Sequence, residues 1–315
     1  MRAIVLQSFG GAENLIYSDV PRPSVRDDEV LVKISTIGIN PVDVKTRNGK
    51  GQAARLKEDP PMILGWDISG VVLETGEAVT RFSEGDEVFG MIHIPGHGRA
   101  YAEYVAAPAA HLAHKPGNVS HEEAAAAGIA AITAWQALTR RAGVQKGQKI
   151  LIHAASGGVG HYAVQMAKHL GAYVIGTSSA ANRDFVLSLG ADQHIDYQAK
   201  PFEEVSPQVD VIIDAIGGDH IDRSLKVLKE GGTIISLPSG VSESVGGKAA
   251  AQNKKGIFFL VNSNEADIIS LSDLFAAGKL HSRIAKVFSF EEVKQAHKMI
   301  ETGKTAGKVV MKGPA

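Results

Sequence analysis

The pattern of apolar and polar residues divides the chain into two parts. In the first part, short segments alternate between apolar and polar residues, as EVLVKISTIGI does at 29–39. Alternation with a period of two is typical of half-buried strands, and glycines and prolines separate these segments. We therefore predict a β-rich domain with one short helix at 40–49. Its predicted strands are 1–7, 29–39, 63–73, 86–91 and 101–107.

The second part begins near Ser120 and is helical at first. Ser120 and Glu123 match a capping box before an alanine-rich region, and we predict a further helix from Ala130 to Arg141. From Lys149 onward strands and helices alternate, which indicates a parallel sheet with right-handed crossovers. The predicted strands of this sheet lie near Ile150, Val174, His194, Val211 and Ile234, with a last strand at 258–261. Elements predicted to return to the first domain are a helix at 265–277, a strand at 284–288, a helix at 290–301 and a strand at 308–311.

The stretch KILIHAASGGVG, at 149–160, joins a short apolar strand to a helix through small residues. This is the context of a dinucleotide-binding turn, in which glycines let the backbone approach a pyrophosphate and let helix and strand pack closely. The N–H groups at the helix start and the helix dipole bind the phosphate charge. Ala155 replaces the first glycine of the usual pattern, so the motif alone also fits an ordinary turn into a helix.

The end of the next strand predicts the choice of nicotinamide cofactor. Enzymes that prefer NAD usually place Asp or Glu there, about 20 residues after the first glycine, to bind the ribose hydroxyls. This strand ends in GTSS at 176–179, and no acid follows until Asp184. Hydroxyl groups with Arg183 nearby suit a 2′-phosphate, so we expect NADPH. Alternatively, Thr177 to Ser179 only cap the helix that starts near Ala180.

Composition and charge argue against several classes of function. The chain has 315 residues, which suggests two domains, and its net charge of -1 argues against a dedicated nucleic-acid or membrane-surface protein. It has no cysteine, so disulfides, cysteine zinc sites and a cysteine nucleophile are excluded. We find no signal peptide and no apolar run of about 18 residues. We therefore expect a soluble cytoplasmic protein.

Eight short motifs occur in order along nearly the whole chain. They are GINPVDVKTRNG (38–49), LGWDISGVV (64–72), AYAEYVAAP (100–108), AAITAWQAL (130–138), AASGGVG (154–160), LGADQHIDY (189–197), DAIGG (214–218) and GKVVM (307–311). Together they resemble the medium-chain dehydrogenase/reductase superfamily, in its zinc-free quinone oxidoreductase-like (zeta-crystallin-like) branch. The resemblance implies an α/β protein with a Rossmann doubly wound parallel-sheet domain at 123–266, which binds NADPH. It also implies a β-rich GroES-like catalytic domain at 1–122 and 267–315.

The resemblance further implies hydride transfer from NADPH to a quinone or to the β-carbon of an α,β-unsaturated carbonyl compound. Zinc-dependent relatives hold a catalytic zinc with Cys and His, and two of those positions correspond here to Asn40 and Trp66. Conjugated acceptors are already electrophilic, so positioning and hydrogen bonds can replace the metal. His93 and His97 have the spacing of a helical zinc pair, but the proline and glycine between them indicate a loop, so we expect no metal.

Residue roles follow from the same resemblance. Asn40 is the expected catalytic residue, and Asn40, Trp66, His93 and His97 are expected in the substrate pocket. The residues expected to bind the cofactor are Thr133, Ser156, Gly157, Gly158, Val159, Gly160, Thr177, Ser178, Arg183, Tyr197, Ile216, Gly217, Leu237, Pro238, Phe259, Val261 and Lys308. Tyr197 is explained equally well as a strand-end aromatic residue, and Lys308 as a solvated surface residue.

The sequence offers no convincing general acid. Asp43 lies near Lys45 in the predicted helix and fits a solvated ion pair, whereas Asp67 fits a carboxylate that bonds backbone groups in a tight turn. We therefore expect water, or a histidine of the loop that carries His93 and His97, to deliver the proton that completes the reduction.

Two other functions remain open at this point. One is a non-enzymatic NADPH-binding protein of the crystallin or RNA-binding kind, although a near-zero net charge argues against RNA. The other is an enoyl-thioester reductase, which needs a basic surface for the carrier's phosphate, and the sequence has no basic cluster. The strand at 258–261 is expected at a sheet edge, which favours a homodimer because such edges are usually paired. The loops do not identify the small-molecule acceptor.

Overall fold

The computed structural model describes residues 1–314 and divides the chain into two compact units. Unit 1 comprises residues 1–132 and the chain from Val261 onward, and unit 2 comprises Thr133–Leu260. The predicted domain limits, at 122 and 266, lie near these joints. At the first joint the observed limit lies ten residues later than the predicted one, because residues as far along as Ile129 bond within unit 1.

Strands and helices are numbered in chain order. The strands are β1 Arg2–Leu6, β2 Leu15–Asp19, β3 Glu29–Ile39, β4 Asp67–Thr75, β5 Glu87–Met91, β6 Tyr104–Pro108, β7 Leu112–His114, β8 Lys149–Ile152, β9 Tyr173–Ser178, β10 Gln193–Asp196, β11 Val209–Asp214, β12 Leu228–Ser236, β13 Lys255–Phe258, β14 Ile284–Phe288 and β15 Lys308–Lys312. The helices are α1 Pro41–Arg47, α2 Ala53–Glu58, α3 His121–Trp135, α4 Gly160–His169, α5 Arg183–Ser188, α6 Phe202–Val205, α7 His220–Val227, α8 Val245–Ala250, α9 Glu265–Ala276 and α10 Val293–Glu301. A π-helical turn at Gln136–Arg141 continues α3.

Unit 1 is the β-rich unit that the alternating pattern predicts. Its seven-stranded sheet has the order β14-β15-β3-β4-β5-β7, and β6 also pairs with β3. β3 is antiparallel to both β4 and β15, with Gly38 opposite Asp67 on one side and Val310 on the other. This register brings Asn40, which follows β3, close to the first residues of β4 and β15.

Unit 2 contains a six-stranded parallel sheet in the order β10-β9-β8-β11-β12-β13. The chain runs outward from β8 to β10 and then returns to β11 beside β8, which is the doubly wound arrangement. Leu151, Ile175 and Ile212 lie on three neighbouring strands and are fully buried. Strands covered on both faces carry near-continuous apolar runs, which explains why the pattern of this part of the chain predicts the sheet.

The helical prediction after Ser120 is partly corrected. Its capping box is confirmed, since the N–H of Glu123 donates to Ser120 Oγ at 3.2 Å and the N–H of Ser120 donates to Glu123 Oε2 at 3.3 Å. However, one helix, α3, replaces the two predicted helical segments. Gly128 does not break it: a Cβ there would lie 2.1 Å from Oδ1 of Asp67, so the glycine serves close packing.

The prediction for the last parallel strand is wrong in position. The strand is Lys255–Phe258, because Phe258 pairs with Ser236 at the end of β12 and the chain leaves the sheet there. The apolar run that suggested 258–261 extends past this point. The short β2, α2 and β7 were not predicted. Within residues 1–314, no helix is long and apolar enough to cross a membrane.

Candidate active site

Most residues predicted to bind the cofactor lie at one edge of the parallel sheet of unit 2. Its strands all run in the same direction, so their carboxyl ends share this edge. These residues are Ser156–Gly160 after β8, Thr177 and Ser178 in β9, Tyr197 after β10, Ile216 and Gly217 after β11, Leu237 and Pro238 after β12, and Phe259 after β13. Ligands of doubly wound sheets bind at this edge where the strand order reverses, which here is between β8 and β11.

The glycine turn after β8 has a shape that fits a pyrophosphate. Gly157, Gly158 and Val159 are partly exposed, and no acceptor among residues 1–314 bonds the N–H of Gly158 or Val159. A Cβ at Gly160 would lie 2.1 Å from the carbonyl oxygen of Ala154, so only glycine allows α4 to begin this close to the turn. Unpaired N–H groups at the start of a ten-residue helix attract a bound anion.

The hydroxyl groups at the end of β9 are already hydrogen bonded. Thr177 is buried, and its Oγ1 lies 3.1 Å from Nδ1 of the buried His153. Ser178 Oγ donates to the carbonyl oxygen of Ser179, so it accepts from Nε2 of His194 at 2.8 Å. The hydroxyl of Thr177 therefore faces the interior of unit 2. The side chain of Ser179 makes no hydrogen bond that caps the helical turn after it, so the alternative prediction of a helix cap is not confirmed.

Two exposed side chains lie near the same strand ends. The side chain of Arg183 is 63% exposed, and its Nη1 lies 3.9 Å from Oδ1 of the exposed Asp184. Tyr197 is 52% exposed directly after β10. Because the contact with the neighbouring Asp184 is long, most donors of this guanidinium are available to a bound anion, which is the chemistry expected for a 2′-phosphate.

The remaining residues predicted to bind the cofactor differ in exposure. Ile216 is 46% exposed, and Gly217 has a φ of +76, which favours glycine. Phe259 is buried, and the guanidinium of Arg141 lies 5.1 Å from the centre of its ring. Half-buried positions are Thr133, Leu237, Pro238 and Val261. Of these residues, only Ile216 is exposed.

In unit 1, a buried polar cluster surrounds Asn40. Its Nδ2 donates to Oδ2 of Asp67 at 2.8 Å, and its Oδ1 accepts from Nζ of Lys308. Lys308 also donates to the carbonyl oxygen of Ile39 at 3.2 Å, and Oδ1 of Asp67 accepts the N–H of Ile129 at 2.8 Å. Lys308 is 4% exposed, so its alternative assignment as a solvated surface residue is wrong.

Burial dominates the electrostatics of this cluster. It raises the pKa of Asp67 to about 6, although Lys308 and the Asn40 amide act in the opposite direction. Burial also lowers the pKa of Lys308, which Asp67 and Asp43 oppose. The cluster therefore holds ionisable groups with pKa values displaced toward neutrality, as active sites often do.

Asp43 is a member of the same cluster and not a solvated residue. It is completely buried, and its Oδ2 accepts the N–H of Asn40 at 2.8 Å. Burial raises its pKa to about 7; the N–H of Asn40 lowers it, and the charge of Asp67 raises it further. The predicted ion pair with Lys45 is therefore wrong, because the short α1 turns this carboxylate inward at its third position. Asp67 lies at the start of β4 and bonds the backbone of α3 instead of a tight turn.

The other predicted pocket residues in unit 1 fall into two groups. Trp66 is fully buried, and its Nε1 donates to the carbonyl oxygen of Gly96 at 3.0 Å. His93 and His97 line a cavity of about 790 Å³ in this unit, together with His111. Neither Asn40 nor Trp66 lines that cavity. The structure therefore does not gather the four predicted substrate-pocket residues into one cavity.

Hydrogen bonds fix which nitrogen of His97 carries the proton. Nε of Arg99 donates to Nδ1 of His97 at 3.3 Å, so the hydrogen lies on Nε2. This Nε2 is buried and has no hydrogen-bond partner. Burial and the Arg99 charge lower the pKa of His97 to about 4. His97 is thus a neutral imidazole with one unused N–H donor, whereas Nε2 of His93 already bonds the carbonyl oxygen of Ala106 at 3.1 Å.

Comparisons with known proteins match this architecture over the whole chain. Residues 26–117 match an alcohol dehydrogenase GroES-like domain, and residues 189–311 match a zinc-binding dehydrogenase family. A 2-methylene-furan-3-one reductase of Solanum lycopersicum is 36% identical over 99% of this chain and 79% of that protein. An NADPH-dependent alkenal/one oxidoreductase of Arabidopsis thaliana is 34% identical over the same shares. The chain belongs to the medium-chain dehydrogenase/reductase superfamily, in its quinone oxidoreductase-like branch.

A solved structure supports the placement of the whole chain in the medium-chain dehydrogenase/reductase superfamily. The quinone oxidoreductase from Coxiella burnetii is 38% identical, and its structure matches with a TM-score of 0.93 over 100% of this chain and 99% of that one. The predicted fold class is thereby confirmed: a Rossmann-like parallel sheet and a β-rich GroES-like part.

Asn40 and Trp66, at the positions that the resemblance aligns with zinc ligands of zinc-dependent relatives, are bound to other protein groups. The amide of Asn40 already bonds Asp67 and Lys308, and the indole of Trp66 bonds a carbonyl oxygen. In the part of the chain that the structure describes, no three His, Asp or Glu side chains are grouped to hold a metal ion.

Several residues of this medium-chain dehydrogenase/reductase escaped the sequence analysis. His194 holds Ser178, Asp214 holds the DAIGG turn, and Tyr101 lies 2.9 Å from Nε2 of the buried His297. The first two lie within motifs that the sequence displays, so their polar side chains next to predicted site residues were a usable signal. His297 is 196 residues from Tyr101, and only the fold brings them together.

Proposed function

We propose that this chain is an NADPH-dependent reductase that transfers hydride to quinones or α,β-unsaturated carbonyl compounds without zinc. The arrangement at the carboxyl edge of the parallel sheet carries the proposal. The turn after β8 has unpaired N–H groups, the side chain of Arg183 is exposed, and no acidic side chain ends β9. The names of relatives, an alkenal/one oxidoreductase and quinone oxidoreductases, agree with it.

Residues of unit 2 fit NADPH through charge and backbone donors. The N–H groups of Gly158 and Val159, with the start of α4, would bind the pyrophosphate. Arg183 would bind the 2′-phosphate and the exposed Tyr197 would contact the adenosine, whereas Ser178 would need to give up its bond to Ser179 to donate to the phosphate. Ile216 and Gly217 would contact the nicotinamide ribose. When bound, the cofactor supplies the hydride, and the protein supplies orientation and charge.

In unit 1, we assign Asn40 and Lys308 to the acceptor or to the nicotinamide. Nζ of Lys308 carries three N–H donors. Two of them bond the carbonyl oxygen of Ile39 and Oδ1 of Asn40, which leaves one donor for a ligand oxygen. A cation beside a developing enolate or quinol oxygen stabilises that charge. Asp67 accepts from the side-chain amide of Asn40, and Asp43 accepts from its backbone N–H, so Asn40 and Lys308 are preorganised. Nε2 of His97 is buried and lines a different cavity, so we assign the delivery of the proton to water.

Zinc independence is part of the proposal. The chain has no cysteine, and the side chains at the positions of zinc ligands, Asn40 and Trp66, are an amide and an indole. An amide bound to a lysine and an indole N–H are poor ligands for Zn²⁺, which prefers thiolate, imidazole and carboxylate. A chelator such as EDTA should therefore leave turnover unchanged.

The assembly and location are proposed as a cytoplasmic homodimer without nucleic-acid or membrane partners. β13 has a partner strand only on the β12 side and lies at the edge of its sheet, where a second copy could add its own β13. The mass in solution tests this assignment, and a monomeric mass contradicts it. Relatives include chloroplastic and mitochondrial proteins, so location needs a direct test by cell fractionation.

The experiment that tests the function is a turnover panel. Purified, chelator-treated protein is given NADPH or NADH with quinones, alkenals and enones. Turnover with NADPH at a rate that the chelator does not change supports the proposal and ranks the acceptors. NADPH binding without turnover on any acceptor favours a non-enzymatic binding protein instead. A preference for NADH contradicts the role assigned to Arg183.

A further inference from the structure

One buried carboxylate ties together two turns at the carboxyl edge of the parallel sheet. Asp214 is the last residue of β11 and is fully buried. Its Oδ1 accepts the N–H of Ile216 at 3.0 Å, and its Oδ2 accepts the N–H of Gly217 at 3.1 Å. Oδ2 also accepts from Oγ of Ser236, the last residue of β12, at 2.9 Å. The side chain thus links the ends of two neighbouring strands.

The links continue into both turns. The carbonyl oxygen of Asp214 accepts the N–H of Leu237 at 2.9 Å, and Ser236 Oγ lies 2.8 Å from Oγ of Ser242. The N–H of Gly218 donates to the carbonyl oxygen of Val241 at 2.9 Å. The turn after β11 and the loop after β12 are therefore fixed relative to each other through one carboxylate and its neighbours.

This carboxylate lies at the point where the sheet reverses its strand order. β11 is next to β8, although β9 and β10 lie between them in sequence. A ligand that spans this point contacts the glycine turn after β8 and the turn after β11. Ile216 is 46% exposed there, while the N–H of the same residue is held by Asp214. Gly217 has no room for a side chain, because a Cβ would lie 2.7 Å from Cγ2 of Val241.

The surroundings keep Asp214 ionised in spite of its burial. Burial raises its pKa, but His220, His153 and the N–H of Ile216 outweigh that effect and hold the pKa below its usual value. His220 Nδ1 lies 3.4 Å from Oδ1. An ionised carboxylate offers acceptors to several N–H and O–H groups at once, which a neutral amide at this position cannot do.

We propose that Asp214 is a positioning residue that holds the turn after β11 and the loop after β12 in the conformation that binds the nicotinamide half of NADPH. The inference rests on the proposed function for the identity of the ligand. It does not make Asp214 a catalytic residue, because its carboxylate is enclosed by protein groups. Replacement by asparagine puts an NH₂ group against N–H or O–H donors, so at least one of these bonds is lost and the turn loosens.

The test compares binding of NADPH with binding of 2′,5′-ADP, which carries the 2′-phosphate and adenosine but lacks the nicotinamide half. We expect Asp214→Asn to weaken NADPH binding by about 10- to 100-fold and to leave the affinity for 2′,5′-ADP within about twofold. Ser236→Ala removes one of the donors and should give a smaller change of the same kind. Ser206→Ala is the control, because this half-buried hydroxyl bonds the carbonyl oxygen of Pro207 at 3.0 Å and lies before β11, at the opposite end of the strand from Asp214.

Other results decide against the inference. Equal weakening of both ligands means that Asp214 only supports the stability of unit 2, and unchanged NADPH binding means that the turns hold their conformation without it. If Asp214→Asn does not fold, Ser236→Ala carries the same comparison. A wild-type protein that binds NADPH but reduces no acceptor refutes the proposed reductase and leaves this binding test intact.

Discussion

Nδ2 of Asn40 donates a hydrogen bond to Oδ2 of Asp67 at 2.8 Å, while Oδ1 of the same amide accepts from the buried ammonium of Lys308. An amide is suited to this place, because it donates to the acid on one side and accepts from the base on the other. Neither an ionised carboxylate nor an ammonium group at position 40 could do both. The three side chains come from three different strand ends of one sheet.

Removing either partner of this bridge should destabilise unit 1. We expect Asn40→Ala to lower the free energy of unfolding by about 1–3 kcal/mol and Lys308→Met by about 3–5 kcal/mol, because each leaves buried polar groups unpaired. The double variant should lose less than the sum of the two. Urea unfolding at pH 7 measures all three. Asn118→Ala, which removes one bond to the carbonyl oxygen of Phe275, is the matched control. Strict additivity would show that the two side chains are not coupled.

The buried Asp43 predicts a pH dependence of stability. Its pKa rises from 3.8 in the unfolded chain to about 7 in the folded one, so the folded state binds the proton more tightly. Its contribution to the free energy of unfolding is fully present below pH 3.8 and is lost as the pH rises through 7. The loss is at most on the order of 4 kcal/mol. Asp43→Asn should remove this slope. Unfolding free energies of both proteins between pH 4 and 8 test it, and a constant difference across that range contradicts it.

The state of His97 predicts the pH–rate profile. With its pKa lowered to about 4, His97 does not change charge between pH 6 and 8. We therefore expect His97→Gln to leave the shape of the pH–rate profile for a carbonyl acceptor unchanged between pH 6 and 8. His93→Gln is the control, since its Nε2 bonds the carbonyl oxygen of Ala106. An inflection near pH 6.5 that disappears in His97→Gln would instead identify this histidine as the proton donor.

The close approach at Gly160 predicts a severe effect of one methyl group. In Gly160→Ala the Cβ meets the carbonyl oxygen of Ala154 at 2.1 Å, so the turn and the start of α4 must move apart. NADPH affinity should fall by at least about tenfold, as measured by the fluorescence of the bound nucleotide. Gly247→Ala lies in α8 of the same unit, where a Cβ meets nothing within 4 Å, and should bind NADPH normally. Similar losses in both variants would remove the turn from the cofactor site.

The exposed Arg183 predicts the selectivity between cofactors. Arg183→Ala should reduce kcat/KM with NADPH by about 10- to 100-fold and leave the value with NADH almost unchanged, because only NADPH carries the 2′-phosphate. Lys229→Ala removes a cation near the amino end of β12, at the opposite edge of the same sheet, and serves as the control. Equal losses with both cofactors would mean that Arg183 does not bind the 2′-phosphate.

The local pattern of the sequence predicts most elements of this protein. Continuous apolar runs and helical periods in unit 2 give the alternating parallel fold, because each element there buries a face of its own. The glycine turn and the absence of an acid at the end of β9 are also local, so the cofactor site could be predicted from neighbouring residues. Short elements such as β2 and α2 carry too few residues for a period to show.

Tertiary structure alone decides which polar groups are buried. Asp43 and Lys308 are ordinary charged residues in the sequence, yet both are buried because the antiparallel register of β3 with β4 and β15 brings distant strand ends together. Desolvation, which no local pattern reports, then shifts their pKa values. The orientation of Thr177 and the neutral state of His97 follow from contacts of the same kind. Sequence thus determined the elements and the family, and tertiary packing determined the charge and hydrogen bonding of the site.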